Sequence, residues 1–161
     1  MKSLRQRSTA WSNVATHHDP AWLVILGRGE LEDDVREMIL QPDGQERVVI
    51  RTEFVNEIKR VGHYLASDVV VPASTYKPFG IVATEAIACR KPRVIGAQGL
   101  VGLQEQVISE RSSQTGINVN GNDPNDIAWG LREALNDRAR LRSWGLPAVP
   151  VRNRPSHGNK L

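Results

Sequence analysis

Short apolar runs alternate with longer amphipathic or alanine-rich stretches along most of the chain. Residues 69–71 and Arg93–Gly96 are apolar runs rich in β-branched residues and too short for a helix, which predicts buried strands. Between them, residues 81–89 are rich in alanine, begin after Gly80 and end before Pro92, which predicts a helix. Strand, loop, helix and strand in this order indicate one crossover unit of a parallel sheet.

The same alternation extends to both sides of this unit. Further strands are predicted at residues 22–26, 47–51 and 117–119, and further helices at residues 30–40, 56–66 and 124–136. The first strand is continuously apolar, which is typical of a strand covered on both faces. Helix 56–66 carries Ile58, Val61 and Leu65 on one face, at the spacing of an amphipathic helix. Strands alternating with helices predict an α/β fold, a Rossmann-like parallel sheet flanked by helices.

The two ends of the chain lack this pattern. Residues 1–18 show no clear period, and prolines, glycines and scattered arginines from Gly145 onward indicate disorder. We therefore predict a basic, poorly defined lead-in at residues 1–18, one folded domain at residues 19–144, and a disordered basic tail at residues 145–161. The length of 161 residues suits one such domain.

The excess of positive charge lies at the two ends of the chain. The net charge is +3, but residues 12–137 hold 12 basic and 18 acidic groups, so the predicted domain is acidic. We therefore predict no specific binding of nucleic acid. A single cysteine, Cys89, suits a reducing compartment, and no apolar run approaches the length of a membrane span, so a cytoplasmic protein is predicted. His17 and His18 are adjacent and have no metal-ligand spacing, which argues against a metal site.

The helix that begins after Gly80 has the chemistry of an anion site. A helix start presents unpaired backbone N–H groups and a partial positive charge, and a glycine lets a ligand approach the backbone. Glu85 lies five residues further along, about 7.5 Å from Gly80 at the rise of an α-helix. A phosphate at the helix start and a hydroxylated ring near Glu85 would fit that distance, although an ordinary crossover helix with Glu85 facing water fits the residues equally well.

A specific resemblance covers this stretch. Residues 76–86, Tyr-Lys-Pro-Phe-Gly-Ile-Val-Ala-Thr-Glu-Ala, resemble the donor-site motif Glu-Pro-Phe-Gly-x5-Glu of the group 1 glycosyltransferases, the retaining family 4. Other family segments are matched in the same order, at residues 23–29, 66–74, 115–119 and 123–128. The similarity extends over residues 19–137 and implies the carboxy-terminal, donor-binding half of a GT-B glycosyltransferase.

The resemblance implies a function and a set of site residues. The intact enzyme would move a sugar from a nucleoside-diphosphate sugar to an acceptor hydroxyl with retention, without a metal or an organic cofactor. Glu85 matches the acid that holds the ribose hydroxyls. The family places nucleobase contacts just after the second strand, at residues 52–54, where Phe54 could stack on a base or could equally be a packing residue. The donor diphosphate would lie at the start of the helix, against Phe79, Gly80, Ile81 and Val82.

The sequence departs from the family motif at Lys77. The family has an acid here that hydrogen-bonds the donor sugar, whereas a protonated lysine reverses the charge and accepts no hydrogen bond. Three consequences stay open: the sugar is held differently, Lys77 reaches the diphosphate, or activity is lost. Lys77 and Glu85 are the candidate catalytic pair.

The similarity does not include the acceptor-binding half of the family's enzymes. We therefore predict weak or no transferase activity for the chain alone, as for a truncated gene product or a chain that needs an acceptor-binding domain on another chain. The alternative is a non-catalytic module that binds nucleotide sugar or a partner. A plain flavodoxin-type domain is disfavoured, because Asp68 precedes its strand instead of following it.

Overall fold

The computed structural model describes residues 10–17, 21–29, 32–33, 36, 47–72, 80–96, 105–108 and 113–145. Lys77, Phe79 and the tail beyond Gly145 lie outside these residues.

Parallel strands form the centre of the fold. The strands are β1 (Leu23–Leu26), β2 (Val48–Arg51), β3 (Arg93–Gly96) and β4 (Gly116–Val119). Strand β1 pairs with β2, and β3 pairs with β4, both in parallel. The strand predicted at residues 69–71 lies beside β3, because Val70 forms a parallel bridge with Arg93 and its N–H donates to the Pro92 carbonyl at 3.0 Å. All five predicted strand positions are therefore extended.

Helices follow the strands as the sequence predicts. They are α1 (Glu57–Ala66), α2 (Ile81–Ala88), α3 (Pro124–Asn136) and α4 (Arg138–Trp144). Residues 32–33 and 36 are also helical, within the helix predicted at residues 30–40. Side-chain caps fix three starts, since Asn56 accepts from the Lys59 N–H, Asp123 from the Asn125 N–H, and Asp137 from the N–H groups of Ala139 and Arg140. The α/β fold with parallel strands and flanking helices is confirmed.

The main core lies between α3 and the β3–β4 pair. Helix α3 buries Ile127, Leu131 and Ala134, which share one face of the helix, against this pair. Gly130 permits this close approach, since a Cβ there would lie 2.6 Å from Val119 Cγ1. The cluster is completed by residues of the strands, of α4 and of the amino-terminal helical segment: Val94, Ile117, Val119, Leu141, Trp144, Ala10, Trp11, Val14 and Ala15.

The amino-terminal helical segment, residues 10–15, is a feature that the sequence analysis did not predict. Ala10, Trp11, Val14 and Ala15 are all buried in the main core. Their spacing of i, i+1, i+4 and i+5 places them on one helix face, so part of the predicted lead-in packs with the domain. Arg47 donates to the Ala15 carbonyl at 2.7 Å and fastens the segment to the start of β2.

Two expectations about burial are wrong. Strand β1 is not covered on both faces, since Leu23 packs against the core but Val24 and Leu26 are exposed. Successive strand residues point to opposite faces, and only one face of β1 meets the core. Helix α1 has the predicted amphipathic pattern but buries none of its residues, and Ile58 is 84% exposed.

Candidate functional site

A cleft opens where β1 and β2 end. It encloses about 250 Å³ between the carboxyl ends of the two strands and the first turn of α1. Its lining residues define the β1–β2 cleft: Leu26, Gly27, Arg28, Thr52, Glu53, Phe54, Val55 and Arg60. Ligands of parallel α/β sheets bind at this edge, beyond the carboxyl ends of the strands.

Gly27 lines the β1–β2 cleft just after the end of β1. Its φ angle is +149°, a conformation that L-residues with side chains rarely adopt, and its N–H donates to the Arg51 carbonyl at 3.1 Å. This bond joins the ends of the two strands. Glycine at the end of β1 is therefore required by the backbone conformation.

Phe54 is the exposed aromatic residue of the cleft. Its side chain is 84% exposed although it lies beside the apolar lining residues Leu26 and Val55. An exposed ring at the rim of an open cleft can stack on a planar ligand. The structure thus places Phe54 where the resemblance predicts a nucleobase contact, while the contact itself stays a prediction.

Glu85 is held by two side chains of α1. Tyr64 Oη donates to Glu85 Oε2 at 2.8 Å, and Arg60 Nη2 lies 3.0 Å from Glu85 Oε1. We call these three residues the Glu85 cluster. The Glu85 side chain is 28% exposed and its carboxylate has two partners, so Glu85 does not simply face water as an ordinary crossover helix would allow.

The Glu85 cluster and the β1–β2 cleft share Arg60. Its side chain lines the cleft while its guanidinium pairs with Glu85. Arg60 stands on the first turn of α1 and Glu85 on the second turn of α2, and both helices begin at the carboxyl edge of the sheet. The acid of α2 is therefore next to the cleft, although the two are far apart in sequence.

Burial affects the ionisation of Tyr64. Partial burial, together with the hydrogen bond to Glu85, raises the pKa of the Tyr64 phenol well above its ordinary value. The hydroxyl therefore stays protonated through the physiological range and acts as a donor to the carboxylate.

The start of α2 differs in one respect from the prediction. Gly80 is the N-cap, and its carbonyl accepts from the N–H groups of Ala83 and Thr84 at 2.9 and 3.3 Å. Gly80 is buried, whereas the sequence analysis expected open approach to its backbone. The exposed residues of this turn are Ile81 and Val82, at 69% and 45%.

The structure thus links Glu85 to the cleft that Phe54 lines through Arg60, which pairs with Glu85, and it places Ile81 and Val82 on the same helix as the acid. Arg60 and Tyr64 were missed by the sequence analysis. Their i, i+4 spacing puts them on one face of α1, which is a usable signal. It does not reveal the partner, because Glu85 lies on another helix.

A family model agrees with this picture. The model described as "Glycosyl transferases group 1" matches residues 1–147. The chain belongs to the glycosyl transferases group 1 family. The match begins before residue 19, in agreement with the packing of residues 10–15 in the core.

Individual relatives show how this family domain compares with whole proteins. An uncharacterised glycosyltransferase of Methanocaldococcus jannaschii is 35% identical over 152 residues, which are 94% of this chain and 36% of the relative. A sucrose-phosphate synthase from Thermosynechococcus elongatus has a similar structure, with a TM-score of 0.64, 29% identity and coverage of 88% of this chain and 36% of that one.

A third similarity concerns the fold alone. A mutant of S. aureus TarM, solved with fondaparinux, α-GlcNAc-glycerol and UDP, gives a TM-score of 0.76 at 17% identity, covering 89% of this chain and 28% of that one. The structural neighbours are GT-B glycosyltransferases, so the predicted fold class is confirmed. The chain spans about a third of the length of the relatives that it matches.

Within the described residues, no helix is both long and apolar enough to cross a bilayer.

Proposed function

We propose that this family domain binds the nucleoside-diphosphate sugar of a retaining glycosyltransferase of family 4. The observation that carries the proposal is the position of Glu85. Its carboxylate lies on the second turn of α2, partly exposed, and is joined through Arg60 to the β1–β2 cleft. An open cleft with an aromatic rim and an oriented carboxylate beside it suits a planar base attached to a hydroxylated ring.

In this proposal each part of the donor has its own contact. The base stacks on Phe54 in the β1–β2 cleft, and the ribose hydroxyls donate to Glu85. The diphosphate lies at the first turn of α2, near Ile81 and Val82, where the partial positive charge of the helix stabilises the departing group. Because Gly80 is buried, we place the diphosphate one to two residues further along the helix than the sequence predicts.

Lys77 distinguishes this chain from the family motif. In the proposal it lies on the segment before α2, where a cation would attract the diphosphate. Because the family acid that hydrogen-bonds the sugar is replaced, the sugar itself is held by other groups or held weakly. The pair of Lys77 and Glu85 stays the candidate catalytic pair.

Transfer requires an acceptor site in addition to a donor site. We propose that an acceptor-binding domain beyond these 161 residues, or on another chain, completes the cleft, and that this chain alone transfers sugar weakly or not at all. The proposal includes no metal, no organic cofactor and no nucleic acid, and places the reaction in the cytoplasm.

Isothermal titration calorimetry with UDP, GDP and ADP tests the donor-site proposal. We expect saturable binding of at least one nucleotide, and weaker binding by the Glu85→Ala variant, because that variant loses the acceptor for the ribose hydroxyls. Arg140→Lys is the control, since Arg140 lies on α4 and pairs with Glu133 of α3, and neither residue lines the β1–β2 cleft. Absence of binding for all three nucleotides would contradict the proposal.

The replacement of the acid at Lys77 favours one second candidate. A non-catalytic module would bind nucleotide sugar without cleaving it. Hydrolysis of UDP-, GDP- and ADP-sugars, measured with and without a candidate acceptor-domain partner, separates the two. Release of free sugar supports an enzyme, and binding without release supports the module.

A further inference from the structure

We infer that Arg60 and Tyr64 are positioning residues, which fix the Glu85 carboxylate in the orientation that selects a ribose ring. The inference rests on the proposed binding of a nucleoside diphosphate and deepens it. Neither residue is proposed to touch the reacting atoms of the ligand. Both act through the Glu85 carboxylate.

The geometry gives each carboxylate oxygen one partner from α1. Oε2 accepts from the Tyr64 hydroxyl at 2.8 Å, and Oε1 lies 3.0 Å from the Arg60 guanidinium. A hydrogen bond to one oxygen and an ion pair with the other favour a single position and rotation of the carboxylate. A glutamate with one partner could still turn about its terminal torsion, which is broad.

The same contacts leave room for a ligand. An ionised carboxylate has about four lone-pair sites, of which the Tyr64 hydroxyl occupies one on Oε2, while Arg60 forms an ion pair with Oε1. The remaining sites are reachable, because the side chain of Glu85 is 28% exposed. Two vicinal hydroxyls can therefore donate to the two oxygens at once, and a ring without these hydroxyls cannot.

Further contacts hold α1 against α2. Lys91 Nζ donates to the Leu65 carbonyl at 2.8 Å, just beyond the end of α2. Arg60 and Tyr64 are one helical turn apart and reach Glu85 from the same face. Since Arg60 also lines the β1–β2 cleft, the spacing between the cleft and the carboxylate is set by α1.

Tyr64 is suited to this role because it is a donor without charge. Burial and the bond to Glu85 raise the pKa of its phenol, so the proton stays on the tyrosine oxygen. Phenylalanine at the same position keeps the ring and removes only the hydroxyl. Tyr64→Phe is therefore a narrow test of orientation.

The test compares two ligands on each variant. The nucleotide among UDP, GDP and ADP that binds the wild-type chain most tightly is titrated beside its 2′,3′-dideoxy form. The measured quantity is the ratio of the two dissociation constants, which reports contact with the ribose hydroxyls. A general loss of structure weakens both ligands and leaves the ratio unchanged.

We expect the wild-type chain to prefer the ribose form by at least tenfold, and Glu85→Ala to abolish the preference. Tyr64→Phe and Arg60→Met should each reduce it by at least threefold through weaker binding of the ribose form. Binding of the dideoxy form should stay constant for Tyr64→Phe. Arg60→Lys, which keeps a cation, should restore part of the preference, and Arg140→Lys should leave it unchanged.

The outcomes separate the two proposals. No binding by the wild-type chain would overturn the proposed function and, with it, this inference. If Tyr64→Phe and Arg60→Met both bind nucleotide with the wild-type ratio of dissociation constants, the inference is overturned while the proposed function stands. If Tyr64→Phe lowers the melting temperature, the same substitution is measured in the Glu85→Ala variant. An unchanged ratio of the two dissociation constants in that variant supports a positioning role for Tyr64. An equal change of the ratio with and without Glu85 contradicts it.

Discussion

Helices in the two halves of the domain, the amino-terminal half around β1 and β2 and the carboxy-terminal half around β3 and β4, are held by different contacts. In the carboxy-terminal half, α3 buries five of its residues against β3 and β4, including Ile127 at 2% exposure. In the amino-terminal half, α1 is also amphipathic but buries none, and Ile58 is 84% exposed. Helix α1 is held instead by polar contacts with α2, from Tyr64 and Arg60 to Glu85 and from Lys91 to the Leu65 carbonyl.

This difference assigns separate tasks to the halves. Packing between α3 and the β3–β4 pair supplies stability through buried apolar area. Helix α1 of the amino-terminal half buries no residue, but this half contains the β1–β2 cleft and the side chains that hold Glu85. Mutations in the carboxy-terminal half should therefore change stability, and mutations at the β1–β2 cleft and the Glu85 cluster should change binding.

The largest expected effect comes from a matched pair of isoleucines. Ile127→Ala should lower the free energy of unfolding by about 2–5 kcal/mol, because it removes a fully buried side chain and leaves a cavity. Ile58→Ala, at an exposed site of α1, should change it by no more than about 0.5 kcal/mol. Both are isoleucine-to-alanine changes in a helix, so their helix-propensity terms cancel.

Urea unfolding monitored by circular dichroism measures both variants. Equal losses for Ile58→Ala and Ile127→Ala would contradict the proposed division, since they would mean that the apolar face of α1 is covered in the folded chain. A loss confined to Ile127→Ala would support it.

A pair of helical glycines should give effects of opposite sign. In Gly130→Ala the new Cβ would lie 2.6 Å from Val119 Cγ1 and 3.0 Å from Val94 Cγ1. We expect a net loss of about 1–2 kcal/mol, since overpacking outweighs the gain in helix propensity. Gly62→Ala in α1 meets nothing within 4 Å, so the propensity gain of about 0.5–1 kcal/mol should remain.

Thermal melting of the two glycine variants checks the signs. A higher melting temperature for Gly130→Ala would mean that β3 and β4 yield easily to α3. A lower one for Gly62→Ala would mean that α1 has a neighbour which the exposed surface does not show.

The sequence predicted most elements of the fold, because short β-branched runs and helix caps are local signals. Asp123 and Pro124, for example, determine the start of α3 within a few residues. Burial was predicted less well. Ile58, Val61 and Leu65 have the spacing of a buried face, but periodicity states which residues share a face and not whether another element covers it.

The site was predicted in part for the same reason. Glu85 and the position of Phe54 followed from motif and resemblance, since both lie at fixed distances from recognisable strands. Arg60 and Tyr64 did not, because their contacts with Glu85 depend on how α1 packs beside α2. The buried amino-terminal segment was missed because six helical residues are too few for a clear period.

The smallest expected effect sharpens the division between stability and binding. Phe54→Ala should leave the free energy of unfolding within about 0.5 kcal/mol of wild type, since the ring is 84% exposed. Nucleotide affinity should fall about two- to tenfold, the range expected for the loss of one aromatic stacking partner. Calorimetric titration of the nucleotide that binds best measures the loss. Trp129→Ala is the matched control, because Trp129 is a half-exposed aromatic residue on α3, in the other half of the domain. If both variants lose affinity equally, the β1–β2 cleft is not where the base binds, and the exposed ring of Phe54 has another purpose.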